Sequence, residues 1–459
     1  MHLSRRDSIH FIGIGGVGMS AIASVLLEMG YRISGSDIHP THRTERLARA
    51  GARINIGHRP ENLNSPGMVV YNTAIPDTNV ELRLARDLGL PVLHRADMLA
   101  AITADQRRIA VAGTHGKTTT TAMLSVIFAD AGLDPTMVVG GDVKQFGTNG
   151  RLGRGPYAIV EACESDKSFL KLLPCSQVVT NVEAEHLDVH KTLSTVVDAF
   201  AEFMRGAAPD GFVVGCYDCL VVRGLMSRIP RDYITYGFAP DAHFSARDIA
   251  LNGRGAAFSL LRGGEVVGPV RLEVPGKHNV LNALAAIAAA TACDIPLDNA
   301  IRTLGQFIGA QRRFDVLTEV DGILIVDDYG HHPTEIRATL EAARAGFPDR
   351  RIIAVFQPHL YSRTQLFLEE FGAAFSDADV IIINEIYAAR EAPRDDISGR
   401  HLFEAVRRNE PGKLVEYIPD KQDIPAYLLA HTRPGDLVMT IGAGDIREVA
   451  HKLAEAMST

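Results

Sequence analysis

Residues Ala110–Leu124 read AVAGTHGKTTTTAML: an apolar lead-in, a Gly-x-x-Gly-Lys-Thr turn, then four consecutive threonines. A glycine turn between a strand and a helix offers backbone N–H groups, a lysine charge and a hydroxyl to a polyphosphate. The widespread phosphate loop, G-x-x-x-x-G-K-[ST], would place its first glycine at Val111, whereas here it is Gly113. The flanking runs still fit, since RIAVA reads as a strand and TTAMLSVIF as a helix. Gly113, Thr114, His115, Gly116, Lys117, Thr118 and Thr119 are therefore candidate nucleotide contacts. Lys117 would neutralise the β/γ-phosphates and the Thr118 hydroxyl would hold Mg²⁺.

A metal–phosphate site needs further oxygen ligands, and the next two predicted strands end in acidic clusters. EACESD supplies Glu161 and Glu164, and NVEAEHLD supplies Glu183, Glu185, His186 and Asp188. Further on, PGKHNVLNA puts His278 and Asn282 one helical turn apart with Asn279 beside them, a plausible adenine-facing edge. Arg312 and Arg313 follow near a domain junction, placed to clamp phosphate.

Upstream, GIGGVG at Gly13–Gly18 fits G-x-G-x-x-G between a strand and a helix, with Asp37 about twenty residues on. That geometry suits NAD and any other nucleotide diphosphate equally. The first hundred residues alternate strand-like and helix-like runs, which implies a parallel sheet covered by helices. A break near 100–108 opens a second βα region, and a third opens after Ala310 with GILIVDDY, RRIIAVFQP, ADVIIINEIY and DLVMTIGAGD. In that region VDDYGHHPTE, FQPHLYSRT and EIYAARE are dense in polar chemistry. Adjacent histidines on a turn rarely face one ion, so His331 and His332 are read as hydrogen-bonding groups, with Arg363 as an anion partner.

The 459 residues carry 46% hydrophobic and 22% charged side chains, 41 glycines, 22 prolines and no tryptophan, which suits a multidomain α/β enzyme. A net charge of −8 argues against broad nucleic-acid binding. Five cysteines do not make a disulfide framework, and the C-x-x-C at Cys216 and Cys219 has no second pair to complete a zinc site. The lone histidines His2, His39, His42 and His94 are read as surface. Arg5 and Arg6 precede an apolar run, but glycines interrupt it and no cleavage motif follows, so a cytoplasmic protein without a membrane span is expected.

The ordered set GIGGVGMS…SGSD, AGTHGKTTTT, EACESDKSF, NVEAEHLD, PGKHNVLNA, VDDYGHHPTE and FQPHLYSRT resembles the Mur ligases of bacterial peptidoglycan synthesis, over nearly the whole chain. The shortened phosphate loop is itself a mark of that family. The resemblance implies an α/β fold of three domains: N-terminal Rossmann-like, a central P-loop ATPase-like domain with a parallel-rich sheet, and C-terminal Rossmann-like. Their expected ranges are 1–102, binding a UDP-sugar, 103–311, binding ATP, and 312–459, binding an amino acid. The implied reaction joins L-alanine to the lactyl carboxylate of UDP-N-acetylmuramate through an acyl phosphate, with ATP and two Mg²⁺ ions. A ligase that recycles peptides and a NAD-dependent oxidoreductase are the rival readings, and a nucleotide-binding module without chemistry is a third.

By the same resemblance Lys117 stabilises the phosphoryl group, Thr118 and Glu161 hold one metal and His186 helps hold the second. His278, Asn279 and Asn282 fall at the adenine position and Arg313 at a phosphate contact. Gly15, Gly16, Gly18, Met19, Ser36, Asp37, Thr73 and Ala74 would hold the UDP portion. Asp328 matches an aspartate near the nucleotide, and Tyr329, His331, His359 and Arg363 match the amino-acid pocket. Three residues depart from the family pattern: Cys163 and Glu185 stand where aspartate is usual, and Leu360 where arginine is common.

Overall fold

In the computed structural model, which describes residues 8–185 and 192–458, the βα alternation becomes three sheets. The first has five parallel strands ordered Arg53–Ile56, Arg32–Asp37, Ser8–Ile12, Met68–Tyr71, Val92–His94. The order reverses at Ser8–Ile12, and in such sheets ligands sit at that switch point, beyond the carboxyl ends of the strands. The Gly13–Gly18 turn leaves that end and enters helix Val17–Glu28.

Seven strands of the ten-stranded second sheet are ordered Ile234–Gly237, Val213–Cys216, Ser176–Val179, Arg107–Ala112, Tyr157–Glu161, Thr136–Val143, Thr148–Arg151. Arg107–Ala112 is thus flanked by the two strands that end in the acidic clusters, all three parallel, so their C-terminal loops emerge side by side. Ile109, Ala110, Val111 and Ala112 are buried, and burying an aliphatic chain the size of Val111 contributes roughly 1.5–3 kcal/mol. In helix Lys117–Asp130 the hydroxyls of the threonine run find partners: Thr118 Oγ1 donates to Glu161 Oε1 and Thr120 Oγ1 to Asn282 Oδ1, each at 3.2 Å, while Thr121 Oγ1 donates to the Lys117 carbonyl and Ser125 Oγ to that of Thr121, each at 2.7 Å.

The first sheet and these seven strands belong to one compact unit, Met1–Arg247 with Ser259–Val270 and Leu281–Phe307. Strands Phe244–Asn252, Gly255–Arg262 and Glu265–Leu272 were not anticipated among the βα runs; two-residue links at Gly253-Arg254 and Gly263-Gly264 join them.

The second compact unit contains the third sheet, ordered Asp315–Val320, Ile323–Asp328, Asp436–Ile441, Arg351–Phe356, Val380–Ile383, Leu414–Tyr417. Its first pair is antiparallel and the rest are parallel. The third-region polar motifs follow the parallel strands Ile323–Asp328, Arg351–Phe356 and Val380–Ile383, at one edge of the sheet. No helix among the described residues is long and apolar enough to cross a membrane.

Candidate active site

The phosphate-loop candidate is a rigid turn. Gly113 sits at φ +140°, and a Cβ there would lie 2.0 Å from Thr180 Oγ1. Gly116 sits at φ +81°, and its Cβ would lie 2.5 Å from Asn282 Oδ1. Asn181 holds the turn from the neighbouring strand's end: its Oδ1 accepts the His115 N–H at 2.8 Å and its Nδ2 donates to the His115 carbonyl at 3.1 Å. Glycine alone combines that backbone with so little room.

Lys117 donates to the carbonyls of Gly113 and Thr114 and to Glu164 Oε1, the last at 2.9 Å. Its side chain is 14% exposed and that of Glu164 3%. Burial alone would lower the lysine pKa, but Glu164, Cys163, Glu185 and Glu161 together hold it above the ordinary value. Burial pushes the Glu164 carboxyl up against the pull of the lysine. Thr118 Oγ1 donates to Glu161 Oε1 at 3.2 Å, and the Gly140 N–H donates to Glu161 Oε2 at 2.6 Å. Cys163 Sγ lies 3.0 Å from Ser165 Oγ. His115 Nε2 lies 3.3 Å from Glu183 Oε2, and Asn282 Oδ1 accepts from Thr120 Oγ1 at 3.2 Å. Thr119 is buried in the first turn of the helix. His186, expected at the second metal, lies outside the described residues, as does Asp188.

In the N-terminal domain Gly13 and Ile14 donate to the Ser36 carbonyl at 2.8 and 3.0 Å. Gly15 N–H donates to Asp37 Oδ2 at 2.8 Å, and Arg43 Nε to the Gly15 carbonyl at 2.9 Å. Gly16 caps the helix that carries Gly18 and the buried Met19. So the structure joins Ser36 and Asp37 to the glycine turn. Beneath them lies a network that sequence reasoning missed. Ser36 Oγ donates to Glu81 Oε2 at 2.6 Å, Asn62 Nδ2 to Glu81 Oε1 at 2.6 Å, and the fully buried His10 meets Glu81 at 3.2 Å. Burial opposes charge on Glu81, yet hydrogen bonds from His10, His58, Ser36 and Asn62 hold it well below the usual carboxylate range.

Thr73 and Ala74 lie in an exposed turn after strand Met68–Tyr71, where Asn72 Oδ1 accepts the Ala74 N–H at 2.9 Å. The expectation that His94 is a surface residue is wrong: its side chain is 10% exposed, between Thr73 and Asp166. His42 meets Asp142 at 3.1 Å, so it too has a structural partner.

In the second unit, Asp328 is buried and accepts the Phe314 and Gly330 N–H groups, each at 2.8 Å. Burial raises its pKa to about 6 despite Arg313 and those two N–H donors. The Arg312 and Arg313 guanidinium groups lie 4.8 and 5.0 Å from the centre of the Tyr329 ring. Arg312 is an internal strut, meeting Asp327 at 3.2 Å and donating to the Gly442 carbonyl at 2.5 Å. The paired histidines divide their work: His332 caps helix Pro333–Gly346, while His331 faces Glu335 at 3.3 Å.

Arg363 Nη1 lies 3.2 Å from His359 Nδ1, and the His359 ring stacks on Tyr387 at 5.7 Å and meets His331 at 6.2 Å. Burial, then His331, Arg363, Arg390 and Arg312, push the His359 pKa far down, so the ring is neutral. Leu360 is buried at φ +72°. His278 packs against Gly276 at the start of helix Lys277–Thr291, and burial holds it down to about 4. Asn279 Nδ2 donates to the Pro275 carbonyl at 2.7 Å.

Three family models cover most of the chain in order: "Mur ligase family, catalytic domain" over residues 8–107, "Mur ligase middle domain" over 111–290, and "Mur ligase, glutamate ligase domain" over 312–444. The chain belongs to the Mur ligase family. Its relatives include the UDP-N-acetylmuramate–L-alanine ligases of Sorangium cellulosum and Pelotomaculum thermopropionicum. The first is 45% identical over 97% of this chain and 95% of its own length, the second 43% over 99% and 98%. Among solved structures, the UDP-N-acetylmuramate–alanine ligase MurC of Thermotoga maritima superposes with a TM-score of 0.87 at 28% identity, covering 99% of both chains. A murein peptide ligase of Psychrobacter arcticus gives 0.74 at 25% identity, again over 99% of both. The three-domain α/β architecture expected from the sequence is that of these Mur ligases.

Proposed function

We infer that this chain is an ATP-dependent ligase that joins L-alanine to UDP-N-acetylmuramate in peptidoglycan precursor synthesis, working in the cytoplasm. The observation that carries this reading is 45% identity over 97% of the chain to a ligase of that name. Domain ranges 1–102, 103–311 and 312–459 for the sugar nucleotide, ATP and the amino acid go with it.

The nucleotide loop fits its ligand chemically. Gly113 and Gly116 leave backbone open where any Cβ would run into Thr180 and Asn282, and Lys117 supplies fixed positive charge beside it. The Thr118 hydroxyl and the Glu161 carboxylate are hard oxygen donors of the kind magnesium prefers, and Gly140 fixes Glu161. Magnesium bound there, with His186 assigned to a second ion, would neutralise charge on the phosphate oxygens.

In the reaction the γ-phosphoryl group of ATP passes to the lactyl carboxylate, giving ADP and an acyl phosphate. The alanine amine attacks the carbonyl carbon and loses a proton, the amide forms, and phosphate leaves. Lys117 stabilises the transferring group electrostatically, since little covalent work falls to the protein in phosphoryl transfer. Asn282, Asn279 and His278 are assigned to the adenine, and Arg313 and Asp328 to the phosphate end. The glycine turn with Met19, Ser36, Asp37, Thr73 and Ala74 is assigned to the UDP-sugar. Tyr329, His331, His359 and Arg363 are assigned to the amino acid and the reacting carboxylate, the guanidinium serving as anion partner.

Phosphate release measured with ATP, Mg²⁺ and UDP-N-acetylmuramate tests the reading. Release that requires L-alanine supports it. Release with a murein tripeptide but not with alanine makes the chain a recycling ligase, and reduction of NAD without phosphate release makes it an oxidoreductase.

A further inference from the structure

The loop leaving strand Tyr157–Glu161 carries three carboxylates with separate tasks. Glu161 faces Thr118, and Glu164 pairs with Lys117. Asp166 turns the other way, to the N-terminal domain. Its Oδ2 accepts the Thr73 hydroxyl at 2.6 Å and lies 3.4 Å from His94 Nε2 and 3.9 Å from Arg95 Nη2. Its Oδ1 accepts the Ser168 N–H at 3.0 Å, which anchors the loop itself.

The proton positions follow from the partners. His94 Nδ1 accepts the Ala96 N–H at 3.3 Å, so in the neutral ring Nε2 carries the proton and donates toward Thr73 Oγ1 and Asp166. The Thr73 proton is committed to Asp166. The hydroxyl therefore keeps one orientation and faces any ligand as an acceptor. Burial disfavours the charged carboxylate, but His94, Ser168, Thr73 and Arg95 hold Asp166 below the usual carboxylate range, so it is ionised at neutral pH. Glu164 and Asp166 are two residues apart, so the loop that positions Lys117 also fixes the turn bearing Thr73 and Ala74.

We propose that Asp166 is a positioning residue that couples the sugar-nucleotide edge of the N-terminal domain to the phosphate loop, so that occupancy of one strengthens binding at the other. The proposal rests on the ligase reading for the identity of the two ligands. Reciprocal coupling of this kind requires a shared element that both ligands bias, and loop 161–166 is that element.

The test is ADP affinity by calorimetry, with and without saturating UDP-N-acetylmuramate, beside thermal melting. In the wild type the sugar nucleotide is expected to tighten ADP binding by about fivefold or more. In Asp166→Ala that ratio falls toward one, while ADP affinity without the sugar stays within about twofold. Asp166→Asn, which keeps the shape of the side chain but removes its charge, lowers the ratio in the same direction and carries the test if Asp166→Ala fails to fold. An unchanged ratio in the variants, or a wild-type ratio of one, overturns the proposal. So does a lowered melting temperature with the ratio intact, which is the mark of a purely structural latch. A wild type that neither binds UDP-N-acetylmuramate nor turns it over instead overturns the ligase reading.

Discussion

Lys117 and Glu164 form a buried ion pair, Nζ to Oε1 2.9 Å, at the first turn of the helix that follows the phosphate loop. The lysine is thus fixed by protein groups before any phosphate is considered. Removing one partner of such a pair strands the other charge, at a cost of roughly 3–5 kcal/mol. Lys117→Met is therefore expected to lower stability by that order and to reduce phosphate release by at least about 10²–10³-fold. Adding Glu164→Gln restores much of the stability and none of the activity. Chemical denaturation beside a phosphate assay separates the two, and full stability in Lys117→Met alone would contradict the pairing.

Gly116→Ala tests the loop. The new Cβ meets Asn282 Oδ1 at 2.5 Å on a backbone with φ +81°. Strain in that region costs of order 1–3 kcal/mol. Because Asn282 is assigned to the adenine, ATP affinity should fall along with stability. Asn282→Ala in the same chain relieves the side-chain contact but not the backbone strain, so it recovers part of the stability and none of the ATP binding; equilibrium dialysis with labelled ATP reads the difference.

Motifs confined to one strand–turn–helix unit were legible in the sequence. Gly13, Gly113 and Gly116 all have positive φ, and each turn leaves a strand flanked by parallel neighbours, as the glycine spacing implied. What escaped notice depends on distant pairs. His94 reads as surface until Asp166, 72 positions later, is seen beside it at 3.4 Å. His10 and Glu81 look like scattered charges, but 71 positions apart they close a buried network under Ser36. The strands Phe244–Asn252 to Glu265–Leu272 had a local signal in the NGRG and RGGE turns, and the βα pattern around them masked it. Reading the residues alone paired Arg312 with Arg313 as phosphate clamps; the resemblance singled out Arg313, and the structure makes Arg312 an internal strut.

Glu161 is held by the Gly140 N–H at 2.6 Å, and a Cβ on Gly140 would lie 2.4 Å from Glu161 Oε1. Gly140→Ala should therefore displace the carboxylate without removing it. The expected result is a severalfold higher Mg²⁺ concentration for half-maximal phosphate release, with Glu161→Gln shifted further because it loses a charged oxygen ligand. A magnesium titration at saturating ATP measures both. Equal Mg²⁺ requirements in the wild type and Glu161→Gln would remove Glu161 from the metal site.

Asp328 sets a pH dependence whose sign is the reverse of an ordinary ion-paired carboxylate. Its folded pKa is raised to about 6, against roughly 3.9 in an unfolded chain. Between those values the folded state binds more protons than the unfolded one, so stability falls as pH rises through about 4 to 6 and this group adds no further change above. Glu81 works in the opposite sense: with its pKa below the usual range, its stabilisation is present above about pH 4 and is lost as pH falls. The two groups lie in different compact units, so calorimetric scans at a series of pH values from 2 to about 7 should show the Glu81 loss below about pH 4 and the Asp328 decline between about 4 and 6 in separate transitions. Asp328→Asn is expected to reduce the decline in the transition of the unit that contains it, the remainder coming from Asp327, whose carboxyl burial also raises, and to leave the other unchanged. An undiminished decline in Asp328→Asn would assign the slope to another group.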